Sequence, residues 1–319
     1  MKAAERGGPM AFLVMNQLLT MIILMLVGII LNKKKYLAAT DAKELSVILV
    51  KVAVPANMII LLQRPYSPEI FAEFLKVCAG TLGVCFITTI LFFCIGKWMK
   101  MNFSGTTLFA CCGAYSNIIF MGQPLIKALY GEKGLIFCVA VMFVSTLYLF
   151  TVCSILLSLG TDKMKDSAKV LKDSFLNLVF ISGTIGFICF VKSITLPQII
   201  RDALQFSANT TVCLSMIYIG FLLAEASFKE VAQDKQVFVF CFLSLVVTPI
   251  IAKVLGRMFL DGMPLAVLVI LMGTPAGALL PSFVESYGKS AQKASHYVFM
   301  STILSIITLP IVAEFLCKS

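Results

Sequence analysis

Charged residues are scarce in this chain. Of its 319 residues, 13% are Asp, Glu, Lys or Arg and 60% are hydrophobic, and the mean hydropathy is +0.98. A soluble domain is about half apolar and about a quarter charged, so this composition leaves too little charge to cover a soluble surface. The shortage excludes an ordinary cytosolic enzyme, a disordered chain and a nucleic-acid-binding domain. It predicts an integral membrane protein that lies mostly in lipid.

Motifs that carry chemistry are scarce too. The chain has one histidine, and its eleven cysteines are spread along the sequence without a Cys-x-x-Cys pair. This pattern is typical of small buried hydrophobic residues and not of a metal site or a disulfide framework. A nucleophile–base pair and a phosphate-binding glycine-rich loop are also missing. We therefore expect no enzyme, no ATP-driven pump and no cofactor, and a proton, sodium or solute gradient as the source of any energy.

Long apolar runs make up most of the chain. About 20 residues cross the hydrocarbon region as a helix, and ten runs approach or exceed that length. Because the runs do not alternate apolar with polar residues, they predict a helical bundle and not a barrel. The runs are 11–31, 44–63, 73–97, 105–130, 134–159, 175–191, 203–225, 236–259, 264–287 and 293–317.

Lysine and arginine cluster in the short segments between these runs, which is how membrane proteins set their orientation. If the chain alternates sides, the face that receives 32–43 and 161–174 carries more of them than the face with both termini. We therefore expect those two segments in the cytoplasm and both termini outside, with the chain in the cell membrane. The net charge of +10 fits this topology, and a preference for anionic cargo is the alternative explanation.

One motif occurs twice. A proline, a Tyr-Gly pair six residues later and a Phe-x-Ser-Thr sequence follow one another in both halves, with nearly the same spacing. This order indicates an internal duplication. The copies are Pro124, Tyr130-Gly131 and Phe143–Thr146, then Pro281, Tyr287-Gly288 and Phe299–Thr302.

The duplication divides the chain into two five-helix repeats, 11–160 and 175–317, joined by the polar segment 161–174. Five is an odd number, so the second repeat enters the membrane from the opposite side. The prediction is an all-α membrane protein of ten transmembrane helices, arranged as two inverted repeats. Many secondary transporters share this plan.

The fourth and ninth runs contain helix breakers in mid-span. Glycine and proline weaken or remove intrahelical hydrogen bonds, and in lipid the freed backbone groups need partners in protein or water. Two interruptions at equivalent places predict broken helices around a central polar site, where helix N-termini favour an anion. Simple proline kinks between packed helices are the alternative. The candidate substrate-binding residues are Asn117, Gly122, Gln123, Pro124, Thr274, Pro275, Gly277 and Pro281.

Asn117 and Thr274 each precede a proline by seven residues, so aligning Pro124 with Pro281 makes them equivalent. The Asn117 amide can donate to a carboxylate and accept from water or a backbone N–H. A hydrogen bond between two helices is the alternative role for this side chain.

The segment Asn117–Gly131, with its Asn, Gly-x-Pro and Tyr-Gly, resembles the fourth-span pattern of the auxin efflux carrier family, within the bile-acid and arsenite-type superfamily. Weaker matches are Gly28, Val54-Pro55-Ala56 and Thr274-Pro275. The resemblance implies a substrate site where helices four and nine cross, and helices one, two, six and seven as a scaffold for the moving remainder. It also implies homodimers and organic-anion cargo such as auxin or dicarboxylates. The short segment 161–174 is similar to that of bacterial members.

Three further residues are candidates for charge compensation or ion coupling. Lys51 lies within the second run, where it would be a counter-charge for an anion or would extend to the interface; Asn57 is similarly placed. Glu285 lies one turn after Pro281, where it would couple protons or sit at the membrane interface.

The function predicted is secondary transport of small organic anions by alternating access, with malate-like, malonate-like or auxin-like carboxylates as cargo. The partners expected are that anion, the lipid bilayer and a second copy of the chain, with no nucleic acid. A sodium-coupled, bile-acid-like carrier is one alternative. A channel or sensor that keeps the fold without moving substrate by turnover is another.

Overall fold

A computed structural model of the chain describes residues 9–159, 177–225 and 228–317, so the predicted connecting segment 161–174 lies outside the described residues. Within those ranges the regular structure is helical. The helices are α1 (Met10–Lys33), α2 (39–61), α3 (Pro68–Trp98), α4 (Phe103–Ala114), α5 (Ile118–Ser158), α6 (Leu178–Val191), α7 (Gln198–Glu225), α8 (Phe228–Gln233), α9 (Lys235–Gly256), α10 (Gly262–Met272), α11 (Leu280–Glu285) and α12 (Ala291–Leu316).

Seven of the described helices, α1, α2, α3, α5, α7, α9 and α12, are long and apolar enough to cross a membrane. Helices α4, α6 and α10 are apolar but have only 12, 14 and 11 residues. The prediction of an all-α membrane protein is therefore confirmed. The count differs from ten for three reasons. The fourth predicted run is divided between α4 and the start of the long helix α5, the ninth is divided between α10 and α11, and the described part of the sixth run is short.

Helix α5 has 41 residues and contains one sharp change of direction. At Gly131 the backbone takes φ +63° and ψ −153°, a conformation that disfavours any side chain. We call the residues before it the short arm (118–130) and those after it the long arm (132–158). The repeated Tyr-Gly pair thus ends one helical segment and begins another.

The helices pack as two groups. In the first packing group, α7 packs against α1 and α2, and α6 packs against α2. Helices α3, α4, α5, α9, α10 and α12 form the second packing group. Contacts of α1 with α5 and α12, and of α2 and α6 with α5, join the groups.

Within the first group, α1 and α7 cross with their backbones in contact. A Cβ on Gly28 would lie 2.1 Å from the carbonyl oxygen of Ile217, and one on Gly220 would lie 2.0 Å from that of Met25. The hydrophobic effect does not drive two helices together in lipid, so they associate mainly through close packing. Small residues at the crossing permit that packing.

Within the second group, four buried aromatic rings join α3, α4, α9 and α12. The Phe240 ring stacks on Tyr297 with centroids 4.3 Å apart, and Phe109 meets both rings edge-on. Phe92 adds an edge contact to Phe240 and lies against Gly113, where a Cβ would be 2.3 Å from its ring. This cluster fixes the C-terminal half of α4, just before the chain leaves helical geometry.

Candidate functional site

Two helices stop in the middle of the second packing group. Helix α4 ends at Ala114, and Tyr115 takes an extended conformation (φ −123°, ψ 100°) before α5 begins at Ile118. Helix α10 ends at Met272, and the chain does not return to a helix until Leu280. Pro275 cannot donate a backbone hydrogen bond, and Pro281 occupies the first turn of α11, where its missing N–H costs little. We call 115–117 the first segment and 273–279 the second segment.

The two segments cross and satisfy each other's backbone groups. Ser116 pairs with Ala276 in an antiparallel bridge. On either side of it, the Asn117 N–H donates to the Pro275 carbonyl (2.7 Å) and the Gly277 N–H donates to the Tyr115 carbonyl (3.0 Å). A chain that leaves helical geometry at membrane depth needs such partners.

These two hydrogen bonds are related by local two-fold symmetry, which makes Gly277 the counterpart of Asn117. Aligning the prolines had paired Asn117 with Thr274. The geometry differs because Asn117 precedes its proline by seven residues and Gly277 precedes Pro281 by four. Thr274 is fully buried, and its hydroxyl donates to the Leu271 carbonyl at the end of α10 (2.7 Å).

Asn117 has a buried donor without a partner. Its side chain is 3% exposed, and its Nδ2 makes no hydrogen bond. Its backbone carbonyl accepts from the N–H groups of Met121 (3.2 Å) and Gly122 (3.1 Å), so it caps the first turn of α5. Since buried amides are almost always paired, an unpaired donor at a helix N-terminus indicates a place for an acceptor such as a carboxylate.

The candidate glycines permit the crossing. A Cβ on Gly277 would lie 2.5 Å from the Tyr115 ring, and one on Gly122 would lie 2.4 Å from Leu271 Cδ2. Both positions are therefore filled by neighbouring side chains. Their contribution is close packing of the two segments, and neither leaves open space for a ligand at its own Cα.

A cavity of about 700 Å³ lies between the first packing group and α5. Its mouth is exposed, and its lining comes from α2, α5, α7 and the residues that follow α2. At the same end, the Tyr130 hydroxyl contacts the sulfur of Met10, 3.9 Å away. Amides (Asn57, Gln63, Gln123, Gln205, Asn209), four basic residues (Arg64, Lys127, Lys133, Arg201) and two acidic ones (Glu132, Asp202) supply its polar lining.

Asn57 and Gln123 form the floor of this cavity. Asn57 Nδ2 donates to Gln123 Oε1 (2.5 Å), and Gln123 Nε2 donates to Asn57 Oδ1 (3.1 Å). The two side chains are 3% and 9% exposed. Pro124 also lines the cavity, so three of the predicted residues meet here, one turn of α5 away from the crossing.

Three predicted residues lie elsewhere. Lys51 is exposed on α2, and Glu285 is exposed at the end of α11; neither lines the cavity. Pro281 is buried in α11, beyond the second segment. Their positions in the sequence had suggested that these three residues lie near the site. The rotation of α2 turns Lys51 away from it, and the length of the second segment places Pro281 and Glu285 beyond it.

We call the four basic residues of the cavity lining, Arg64, Lys127, Lys133 and Arg201, the basic rim. They were not predicted as part of a site, because they flank apolar runs and were interpreted as topology signals. Arg64 donates through Nη2 to the Glu132 carbonyl (3.1 Å), and Lys127 Nζ lies 3.3 Å from the Glu132 carboxylate. Burial lowers the pKa of Arg64 and the charge of Glu132 opposes that shift, which leaves the guanidinium protonated at neutral pH. The rim therefore presents more positive than negative charge.

Comparison with known proteins finds membrane transporters. The profile of a family described as membrane transport protein matches residues 13–313. An uncharacterized transporter from Methanocaldococcus jannaschii is 26% identical over 305 residues, which cover 92% of this chain and 96% of that protein. Both matches extend across the two interrupted segments and the cavity.

Proposed function

The chain belongs to the membrane transport protein family, that of the auxin efflux carriers, and we propose that it is a secondary transporter of small polar carboxylates. It would work by alternating access, and the proposal assigns it transport and not catalysis. The observation that carries the proposal is the buried, unpaired Asn117 amide at the crossing of two interrupted helices. A carboxylate would complete that hydrogen bond and would be favoured by the N-terminus of α5.

The architecture proposed is ten spans in two inverted five-helix repeats, 11–160 and 175–317. The symmetric hydrogen bonds around Ser116 and Ala276 support it, since two such bonds are what a local two-fold axis produces. The kink at Gly131, where the backbone leaves helical geometry, supports dividing α5 into the end of the fourth span and the whole of the fifth. Location in the cell membrane, external termini and a homodimer belong to the same proposal.

The cavity lining favours polar cargo. Five amides and an excess of basic over acidic residues line it, and aromatic side chains are absent from the described lining. The lining also includes the aliphatic residues Ile60, Leu61, Leu135, Ala208 and Val212, but its described residues offer no aromatic ring on which an acid of the auxin type could stack. Malate-like and malonate-like acids suit this lining better, because each of their polar groups can meet an amide or a cation.

The mechanism proposed has three parts. Cargo enters past the basic rim, which concentrates anions at the mouth. It reaches the amide floor and then the crossing, where Asn117 and backbone groups beside Gly122 and Pro275 hold its carboxylate. Movement of the second packing group against the first would then expose the crossing to the other side. Lys51 and Glu285 have no part in this proposal, because both lie away from the cavity.

Counterflow in proteoliposomes tests the proposal. Vesicles loaded with unlabelled malate should accumulate labelled malate transiently, because a carrier exchanges cargo and a channel does not. Accumulation that requires a sodium gradient would identify sodium coupling, and dependence on a pH gradient without sodium would identify proton coupling. Absence of counterflow with malate, malonate and succinate alike would contradict transport of small polar carboxylates.

A further inference from the structure

The Asn57–Gln123 pair connects the two packing groups. Asn57 belongs to α2 in the first group, and Gln123 belongs to α5 in the second. Both side chains are buried, and each amide donates to the carbonyl oxygen of the other. By contrast, the bond from Arg64 to the Glu132 carbonyl, which joins the residues after α2 to α5, lies at the exposed mouth, where water can replace it.

Relative movement of the groups must break this buried pair. Although the pair lies at the floor of the cavity, Asn57 and Gln123 are only 3% and 9% exposed, so little of either amide is open to water. If nothing replaces the two bonds, both amides lose their partners while still mostly buried, and unpaired buried polar groups are costly. A carboxylate changes the balance, because its two oxygens can accept one N–H from each amide. The energy barrier to movement of the two packing groups is therefore lower when a carboxylate is bound than when the site is empty.

We propose that the Asn57–Gln123 pair makes the switch between inward-facing and outward-facing states depend on bound cargo. A carboxylate of the substrate enters between the two amides and accepts an N–H from each, which frees α5 to move against α2. Without cargo the two amides bond to each other and hold the groups together. This inference rests on the proposed function and adds that the protein exchanges carboxylates faster than it carries them in one direction.

The test compares two rates for the full chain in liposomes loaded with labelled malate. One is release into buffer without malate, and the other is release into unlabelled malate. Two lost hydrogen bonds predict that wild-type exchange is faster by about tenfold or more. In the Asn57→Ala/Gln123→Ala variant neither amide remains to be left unpaired, and the ratio should fall below about threefold on the same argument.

A second amide pair in the same cavity provides the matched control. Gln205 Nε2 donates to Asn209 Oδ1 (2.8 Å), but both residues belong to α7 and the bond stays within one helix. The Gln205→Ala/Asn209→Ala variant should keep the wild-type ratio of exchange to one-way release, whatever happens to the two rates. If the Asn57/Gln123 alanine variant does not reconstitute, Asn57→Leu/Gln123→Met fills the same space and carries the same expectation.

Equal exchange and one-way rates in the wild type would overturn this inference and leave the proposed function standing. An unchanged ratio in the Asn57/Gln123 variant would do the same. A wild-type protein that moves no labelled malate in either assay contradicts the proposed function, and this inference falls with it.

Discussion

The first and second segments cross in the same manner, yet their polar groups have different fates. In the second segment, the Thr274 hydroxyl caps α10 and the Ala276 N–H donates to Ser301 Oγ (3.1 Å). In the first segment, Asn117 keeps an unpaired amide. The Thr274 side chain is paired within the second segment's own helix end, whereas the Asn117 side chain has a spare donor. This difference is why we propose that the binding function lies on one side of a nearly symmetric crossing.

The same difference extends to the helices that support the segments. Ser301, in the second Phe-x-Ser-Thr motif, accepts the N–H of the second segment. Ser145 holds the corresponding place in the first motif, but it lies beside the Cys85 thiol. The serine of the duplicated motif therefore anchors a backbone N–H of the second segment only. The first segment is held differently, since its own Ser116 hydroxyl donates to the Met272 carbonyl (3.4 Å).

Removing the spare donor should have the largest effect on transport. Asn117→Ala deletes one hydrogen bond to a charged group, which is about 1.5–3 kcal/mol, or roughly 10- to 150-fold in transport rate. The folded protein should keep its melting temperature, since the lost amide has no partner in the structure. Malate counterflow and a thermal melt on the same preparation measure both. If the variant has a lower melting temperature and transports malate normally, Asn117 stabilises the fold and does not bind cargo.

Adding a side chain at Gly277 in the second segment should mainly lower the stability of the fold. Gly277→Ala places a Cβ 2.5 Å from the Tyr115 ring, and overpacking of this kind costs about 1–3 kcal/mol of unfolding free energy. Gly273→Ala, in the same segment, meets its nearest atom at 3.4 Å and is the matched control. The melting temperature should fall for the first variant alone. Equal melting temperatures would mean that the crossing is loosely packed.

The two serines offer a smaller and more specific contrast. Ser301→Ala leaves the buried Ala276 N–H without its acceptor, at a cost of about 1–3 kcal/mol. Ser145→Ala removes no bond to the first segment and should cost less. Hydrogen exchange at Ala276 should rise in the Ser301 variant and stay unchanged in the Ser145 variant. Equal effects of the two substitutions would mean that Ser301 does not anchor the second segment more than Ser145 anchors the first.

The rim should have the smallest effect. Arg201→Gln removes an exposed charge at the cavity mouth, so malate uptake at low concentration should fall by about two- to fivefold in low salt. The difference should disappear in high salt, because salt screens exposed charges. An effect that persists in high salt would place Arg201 in direct contact with cargo.

Much of the fold could be predicted from the sequence because the physics of lipid is restrictive. Low charge and long apolar runs allowed little besides a helical bundle, and mid-span glycine and proline marked the two runs that are interrupted. They did not mark the exact place, because α4 stops at Ala114 and both Gly122 and Pro124 lie inside α5. Spacing could not show that Gly277, and not Thr274, lies opposite Asn117, since that depends on the length of an irregular segment. Nor could it show that Lys51 lies on an exposed face, because helix rotation is set by packing. The contact of the α1 and α7 backbones likewise depends on how two distant helices cross.

Binding of malate to single-residue variants tests the central claim most directly. Ligand that binds the folded state raises the melting temperature by mass action. We predict that malate raises the melting temperature of the wild type and of Thr274→Val, whose hydroxyl serves only α10, and leaves that of Asn117→Ala unchanged. Full stabilisation of Asn117→Ala by malate, or its loss in Thr274→Val alone, would contradict the assignment of the site to the first segment.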